Sequence, residues 1–257
     1  MPDTKSKVLS YLEENSGKFS SGETIAAELG ISRNSVWKAI ESLRRDGFQI
    51  EAASRRGYSL SGKADKISLS EIKKYLPASI NSDLISVYNS LESTNKTAKS
   101  EASFDAPHGT VIIASEQTGG IGKKRHVFAS PKGGIYMSIV LRPDHFPVED
   151  YKQITSFCAQ SVCKAIKMLT DLSPTISETN DIYLGDKKIC GILSEASYEF
   201  DTEEIQYVIV GIGIHFNSEL SDFPAMIRKT VGTLFAKGEE TTTKNELIAK
   251  ILELILV

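Results

Sequence analysis

The sequence predicts an α+β protein in which an N-terminal winged helix–turn–helix precedes a larger domain of mixed helices and strands. Two observations lead to this prediction. Residues 1–60 contain three short amphipathic helix patterns and one hairpin pattern, and from about residue 67 apolar strand patterns mix with long helical patterns. The small polar stretch SGKADK at 61–66 is typical of a linker. We therefore place the two domains at 1–62 and 67–257.

Composition limits the class of protein. The chain has 257 residues, of which 40% are hydrophobic and 25% charged, as in ordinary globular proteins. The net charge of −3 excludes a polycation that binds nucleic acid over its whole surface, but it allows a local basic surface. No apolar run reaches the ~18 residues of a membrane helix, and the charged N-terminus is unlike a signal peptide. Three cysteines without a CxxC pair fit reduced thiols, so we expect a cytoplasmic protein with no membrane partner.

Three helices and a hairpin are predicted in the first domain. Apolar residues recur at helical spacing as Val8, Leu9 and Leu12, then Ile25 and Leu29, then Val36, Ile40 and Leu43. Ser21 and Ser32 occupy the N-cap positions of the second and third helices, and Gly30 and Gly47 stand where these helices end. Alternation of apolar residues predicts the hairpin, with Phe48 and Ile50 on one side and Tyr58 and Leu60 on the other.

The segment from Ser21 to Ile40 has the spacing of a helix–turn–helix, whose second helix places its N-terminal residues against base edges in the major groove. The candidate DNA-binding residues are Ser32, Arg33, Asn34, Ser35 and Lys38 on this helix and Arg55 and Arg56 at the tip of the wing. Between positions 32 and 57 six basic residues outnumber three acidic ones, which is the local charge that phosphate binding requires. A helical unit for protein contacts is the alternative. Trp37 either covers the edge of the core or contacts DNA or a partner.

In the second domain we predict five strands and two long helices. The strands are expected at 84–88, 110–114, 135–142, 189–195 and 205–212, and the helices at 152–170 and 245–257.

Five short motifs follow one another in this domain. They are ESTN (Glu92–Asn95), EQTGGIGKKRH (Glu116–His126), SPKGGIYMSIVLRP (Ser130–Pro143), NDIYLGDKKICGILSE (Asn180–Glu195) and GIGIHFN (Gly211–Asn217). With the preceding winged helix–turn–helix, their order and spacing resemble the bifunctional biotin protein ligase/biotin operon repressor family, the BirA-type proteins. The resemblance covers nearly the whole chain.

The resemblance implies a fold and an activity. The second domain would be a class II synthetase-like mixed α/β biotin ligase domain that joins biotin and ATP, with Mg, into biotinyl-5′-AMP. Biotin would then pass to a lysine of a carboxylase carrier protein. With the adenylate bound, the protein would form a homodimer that binds operator DNA. In the family a small SH3-like domain follows; here the sequence stops at Val257 within an apolar helix pattern, so we expect that domain to be absent from this sequence, which is either a short variant or part of a longer chain.

The resemblance also implies the ligand-binding residues. Ser93, Thr94, Asn95 and Gln117 would line the biotin ring pocket, and the glycine-rich basic loop would be Gly120, Ile121, Gly122 and Lys123 through His126. The backbone at Gly133, Gly134, Gly191, Ile192 and Gly213 would pack against the ligand. This set suits the chemistry, because joining a carboxylate to a phosphate needs cations and backbone N–H groups. Hydroxyl and amide side chains can satisfy the ureido ring.

The sequence departs from the family pattern at the loop and at a second motif. The family's GRGRxxR is GIGKKRH here, with Ile121, Lys123 and His126 at arginine positions, and Phe128 replaces the tryptophan that follows. Lys123 and Arg125 remain as candidate phosphate contacts.

KWPND becomes SETND, so Ser177 stands at the position of a lysine that, by resemblance, contacts both the carboxylate and the phosphate; Glu178 and Thr179 follow. Lys187 and Lys188 are expected at a turn, outside the pocket. His215 replaces an asparagine and is expected to be a hydrogen-bonded loop histidine.

The sequence and the resemblance favour two functions. The first is a repressor whose ligase-type domain binds biotin, biotinyl-5′-AMP or a related metabolite, with ligase activity weak or lost because Ser177 carries no charge. The alternative is an active biotin–[acetyl-CoA-carboxylase] ligase that biotinylates a carrier protein. Both imply operator DNA, a small-molecule effector and a homodimer, and a plain protein-interaction module is a third, less favoured class. No catalytic residue is assigned beyond the candidates Ser177, Lys123 and Arg125.

Overall fold

The computed structural model describes residues 4–15, 17–45, 48, 50–53, 56–60, 66–146, 148, 150–199, 201 and 204–257. The chain divides into two compact units, Met1–Lys66 and Ile67–Val257. No helix among the described residues is long and apolar enough to cross a membrane.

Three helices and a two-stranded antiparallel sheet form the first unit. They are α1 (Thr4–Glu14), α2 (Gly22–Leu29), α3 (Arg33–Arg45), β1 (Ile50–Ala53) and β2 (Gly57–Leu60). The predicted winged helix–turn–helix is thereby confirmed. Its core contains the predicted Val8, Leu12, Ile25, Val36, Ile40, Leu43, Phe48, Ile50 and Leu60.

The helix ends follow the predicted chemistry. The hydroxyl oxygens of Ser21 and Ser32 each accept a hydrogen bond of 3.0 Å from the backbone amide three residues on, which satisfies one free N–H of α2 and one of α3. Gly30 ends α2 in the left-handed conformation, with φ of 62°. The predicted stop at Gly47 and the linker at 61–65 lie outside the described residues.

A seven-stranded sheet forms the centre of the second unit, with the strand order β3-β4-β5-β9-β8-β7-β6. Its strands are β3 (Ile85–Tyr88), β4 (Val111–Ala114), β5 (Ile135–Leu141), β6 (Thr175–Ile176), β7 (Ile182–Leu184), β8 (Lys187–Tyr198) and β9 (Ile205–Ile214). β3 and β4 are parallel and the other neighbours antiparallel. The five predicted strands are confirmed, whereas β6 and β7 were not among them.

Helices cover both faces of this sheet. They are α4 (Leu69–Ile72), α5 (Thr94–Ser103), α6 (Ile154–Leu169) and α7 (Lys244–Leu256). The predicted long helices, α6 and α7, pack on one face against alternate residues such as Ile135 and Met137. Ala98 and Ala102 of α5 pack on the opposite face, against Val140. In the described part of the chain no SH3-like barrel follows the sheet.

Candidate functional site

The exposed face of α3 carries most of the predicted DNA-binding residues. Ser32, Arg33, Asn34 and Lys38 are exposed, and Ser35 is half-buried beside the cap. The cap uses the Ser32 hydroxyl, which lies 2.8 Å from the Ser35 hydroxyl. Both serines therefore fix the start of the helix, and Arg33, Asn34 and Lys38 supply the free surface.

On the wing, Arg56 is the predicted DNA-binding residue that the structure describes. The guanidinium carbon of Arg56 lies 4.2 Å from the centre of the Phe19 ring, a cation–π contact that holds the side chain. Arg55 lies outside the described residues. Arg44, counted above in the basic segment, is occupied elsewhere: it forms a 2.9 Å ion pair with Glu41 and donates to the Ile50 carbonyl. Arg44 thus joins α3 to β1.

Trp37 does not belong to the core of the first unit. It is 52% exposed, because the core-facing positions of α3 are Val36 and Ile40 and position 37 lies about 100° away from Val36 around the helix. The interpretation as a cover of the core edge is therefore not supported, and the contact with DNA or a partner remains.

A cavity of about 250 Å³ opens in the second unit. Eleven predicted residues line it, namely Ser93, Thr94, Asn95, Gln117, Ile121, Gly122, Lys123, His126, Gly191, Ile192 and Gly213. Its remaining lining, not in the predicted set, is Val127, Phe128, Tyr136, Asp181, Lys188, Leu193, Gly211 and Ile212. The predicted Gly120, Gly133, Gly134 and Ser177 are not part of the lining.

These other glycines meet protein atoms. A Cβ atom at Gly133 would lie 2.8 Å from the Ser218 backbone, and one at Gly134 would overlap the phenol group of Tyr136. One at Gly120 would lie 2.6 Å from the Ser130 hydroxyl. The close approach of chain segments thus explains these glycines without a ligand.

The start of α5 brings the polar residues of the ESTN motif to the cavity. Ser93 is the N-cap, so Thr94 and Asn95 form the first turn and their amides lack helical partners. Gln117 satisfies one of them: its Oε1 accepts from the Thr94 amide at 2.8 Å and from the Thr94 hydroxyl at 3.1 Å. Gln117 Nε2 in turn donates to Ser130 at 2.9 Å.

Asn95 is held from three sides. Its Oδ1 accepts from Ser138 at 2.6 Å, and its Nδ2 donates to Glu195 at 2.8 Å. Gly211 of β9 leaves the space that the amide occupies. Gln117 Oε1 thus accepts two hydrogen bonds and Asn95 Oδ1 accepts one. Each amide nitrogen retains one hydrogen for a ligand, because an NH₂ group carries two donors. This set fits a ligand head that accepts hydrogen bonds.

Positive charge reaches the cavity through two lysines. Asp181 Oδ1 lies 2.7 Å from Lys123 Nζ, and its Oδ2 lies 2.7 Å from Lys188 Nζ. Burial raises the pKa of Asp181, but hydrogen bonds from the two lysines outweigh this effect and the pKa lies below its ordinary value. Two cations and one carboxylate leave a net charge of +1 beside the cavity.

The expectation that Lys188 lies at a turn is wrong. The turn is formed by residues 185 and 186, and β8 begins at Lys187. Between β7 and β8 the register shifts: Tyr183 pairs with Lys188, but Ile182 pairs with Cys190. The extra residue, Ile189, is a bulge that turns Lys188 to the side of Gly191. Lys187, in contrast, pairs with Asp186 at 2.7 Å, outside the cavity.

The Ser177 side chain forms hydrogen bonds within its own turn, residues 177–181. Its hydroxyl oxygen accepts from the Asp181 amide at 3.2 Å and lies 3.0 Å from the Thr179 hydroxyl. Lys123 Nζ also donates to the Thr179 carbonyl, so the glycine-rich loop is tied to this turn. Glu178 is exposed and does not line the cavity. It therefore adds no negative charge to the lining.

The ring of Phe128 covers the paired glycines of β8 and β9. A Cβ at Gly191 would lie 2.8 Å from this ring, and one at Gly213 would overlap its edge. Phe128 also stacks on His215, with 5.2 Å between ring centres. Burial lowers the pKa of His215 to about 4, so the ring is neutral at pH 7, and its Nε2 lies 3.1 Å from the Ala129 carbonyl. This agrees with the expected hydrogen-bonded histidine.

Known proteins match both units. A model of the biotin/lipoate A/B protein ligase family matches residues 87–215, and a model of an HTH domain matches residues 4–59. Over 254 residues the chain is 37% identical to the bifunctional ligase/repressor BirA of Bacillus subtilis strain 168, covering 98% of this chain and 77% of that protein. The protein of the same name from Escherichia coli K12 is 27% identical over 200 residues, 77% of this chain and 60% of that protein.

A solved structure supports the same fold. The biotin protein ligase of Aquifex aeolicus in complex with biotin and ATP superposes with a TM-score of 0.55 and 27% identity over 66% of this chain and 67% of that one. The predicted mixed α/β fold of the second unit is confirmed.

Proposed function

The chain belongs to the bifunctional ligase/repressor BirA family, and on that basis we propose that it is a DNA-binding repressor whose second unit binds biotin and ATP and joins them. The first unit supplies the DNA-binding surface of α3 and the wing. We further propose that it acts on a two-fold symmetric operator as a homodimer, as helix–turn–helix proteins usually do.

One observation carries the proposal for the second unit: Lys123 and Lys188 meet at Asp181 on the cavity wall. When biotin and ATP react, a carboxylate oxygen bonds to the α-phosphorus and pyrophosphate leaves. Both reactants are anions and negative charge grows on the phosphoryl oxygens, so fixed cations lower the barrier. Lys188 thus supplies a charge that Ser177 does not.

The cavity also fits the rest of the ligand. The spare N–H donors of Asn95 and Gln117 suit a ureido carbonyl. Gly191 and Gly213 keep the floor free of side chains other than Phe128, whose ring offers an apolar surface. Lys123 and Lys188 stand beside the same cavity for the carboxylate and phosphate.

Labelling of a carrier domain tests the proposal. Purified protein is mixed with biotin, MgATP and a biotin carrier domain, and calorimetry with biotin is run in parallel. We expect biotin to bind and the carrier to be labelled. A protein that binds neither biotin nor ATP would contradict the proposal.

A sensor without transfer is the second candidate function. Two observations favour it. Ser177 stands where the family resemblance implies a lysine, and its hydroxyl forms a hydrogen bond within its own turn. Phe128 covers the glycines that were expected to contact the ligand. Binding of biotin without adenylate and without carrier labelling would select this function over the first.

A further inference from the structure

The cleft between α3 and the wing contains an exposed aromatic side chain. Trp37 is the one tryptophan in the sequence and is 52% exposed. It lines the cleft together with Arg33 and Asn34 of α3 and Ala53 and Tyr58 of the hairpin. Trp37 thus borders a cleft of this unit, where a bound partner would cover its indole ring.

The surroundings of Trp37 favour DNA as the occupant of this cleft. Arg33 lies one helical turn before Trp37, and Lys38 follows it on the exposed side of α3. On the wing, Arg56 lies over the ring of Phe19. An apolar group bordered by cations complements DNA, which combines a polyanionic backbone with apolar groups on its bases.

We propose that Trp37 is a specificity-determining residue that packs its indole ring against the 5-methyl group of a thymine in the major groove. This inference rests on the proposed DNA-binding function. The methyl group of thymine is the apolar group that base edges present in the major groove, and it is recognised by apolar contact and not by a hydrogen bond. Arg33 and Asn34, on the same face, are suited to the polar edges of neighbouring bases.

The test removes this methyl group and nothing else. A duplex that binds the full-length protein is first selected from a random-sequence library. Thymines in each half-site are then replaced, one position at a time, by deoxyuridine, which lacks the methyl group. At one position we expect wild-type binding to weaken ~4-fold, the value of one buried methyl-sized group.

Three variants locate the effect. Trp37→Ala should bind more weakly and respond equally to thymine and deoxyuridine at that position, whereas Trp37→Phe should retain part of the discrimination. Phe104→Ala removes an aromatic residue that is 84% exposed in the second unit, and it should discriminate as the wild type does. Unchanged thermal unfolding of Trp37→Ala excludes loss of fold as the cause.

Fluorescence gives an independent readout, because every tryptophan photon comes from Trp37. The selected duplex should change its emission. Binding with unchanged emission, or an equal deoxyuridine effect in the wild type and Trp37→Ala, would overturn the inference and leave DNA binding intact. An emission change with protein concentration in the absence of DNA would assign Trp37 to protein contacts and overturn it as well. Failure to select any duplex would refute the DNA-binding function itself.

Discussion

Gly211→Ala tests whether the polar network behind the cavity is as tightly packed as the structure indicates. A Cβ atom at this position of β9 would lie 2.9 Å from Asn95 Cγ and 3.0 Å from its Nδ2, and closer still to its Oδ1. The whole carboxamide must therefore move. It would then lose its hydrogen bonds with Ser138 and Glu195.

The cost follows from these two bonds. A hydrogen bond to a charged group contributes about 1.5–3 kcal/mol and a neutral one about 1 kcal/mol. Gly211→Ala should thus destabilise the second unit by about 3 kcal/mol, which corresponds to a decrease in Tm of about 6–12 °C for a unit of this size. Biotin binding should weaken in parallel, because the displaced amide of Asn95 lines the cavity.

A double-mutant cycle with Asn95→Ala isolates this mechanism. Once the carboxamide is absent, the added methyl group has space, so Gly211→Ala should cost about 2 kcal/mol less than in the wild type. Unfolding of all four proteins is followed by calorimetry or denaturant titration. Equal costs in both backgrounds, or a cost below about 1 kcal/mol with Asn95 present, would refute the reasoning.

Two further predictions concern pH and DNA. The pKa of His215 is lowered to about 4 in the folded protein. Its neutral form therefore stabilises the fold above pH 6.5, and this stability is lost as the pH falls toward 4. Between pH 7 and pH 5 the free energy of unfolding should fall by about 2 kcal/mol. Denaturant titrations should show a flatter profile for His215→Asn, and parallel profiles would contradict the assignment. Arg56→Ala should weaken binding to all DNA sequences and reduce the salt slope by about one unit, whereas Arg33→Ala should lose discrimination between sequences. Anisotropy titrations at several salt concentrations separate the two effects. An identical effect of both variants would contradict the assignment of Arg56 to phosphate and Arg33 to bases.

Local signals explain why the first unit could be predicted closely from the sequence. Caps and stops such as Ser21 and Gly30 depend on neighbours within a few residues, and the apolar spacing of Val36, Ile40 and Leu43 is regular. In the second unit α5 was missed because its sequence, TNKTAKSEAS, buries only two alanines and two polar residues of its first turn. An amphipathic pattern of that kind is too weak to recognise.

The site could be predicted only in part, because its remaining contacts join distant segments. The polar residues of the ESTN motif were recognised through the family resemblance, but Glu195, which holds Asn95, lies 100 positions away. Lys188 was misplaced because the turn takes only residues 185 and 186. A single bulge at Ile189 then decides the side to which Lys188 points, and no residue pattern marks that bulge. Asp181, between the two lysines, became identifiable only from the fold.

Biotin-dependent exchange of labelled pyrophosphate into ATP tests the central claim most directly, because it detects formation of the adenylate without a carrier protein. The wild type should catalyse the exchange. Lys188→Met should lower the rate by about 10²-fold or more, since one charge at the reacting phosphate is lost, whereas Lys187→Met, which changes a neighbouring lysine outside the cavity, should leave the rate unchanged. No exchange by a wild-type protein that binds biotin and ATP, or equal rates for the two variants, would contradict the account.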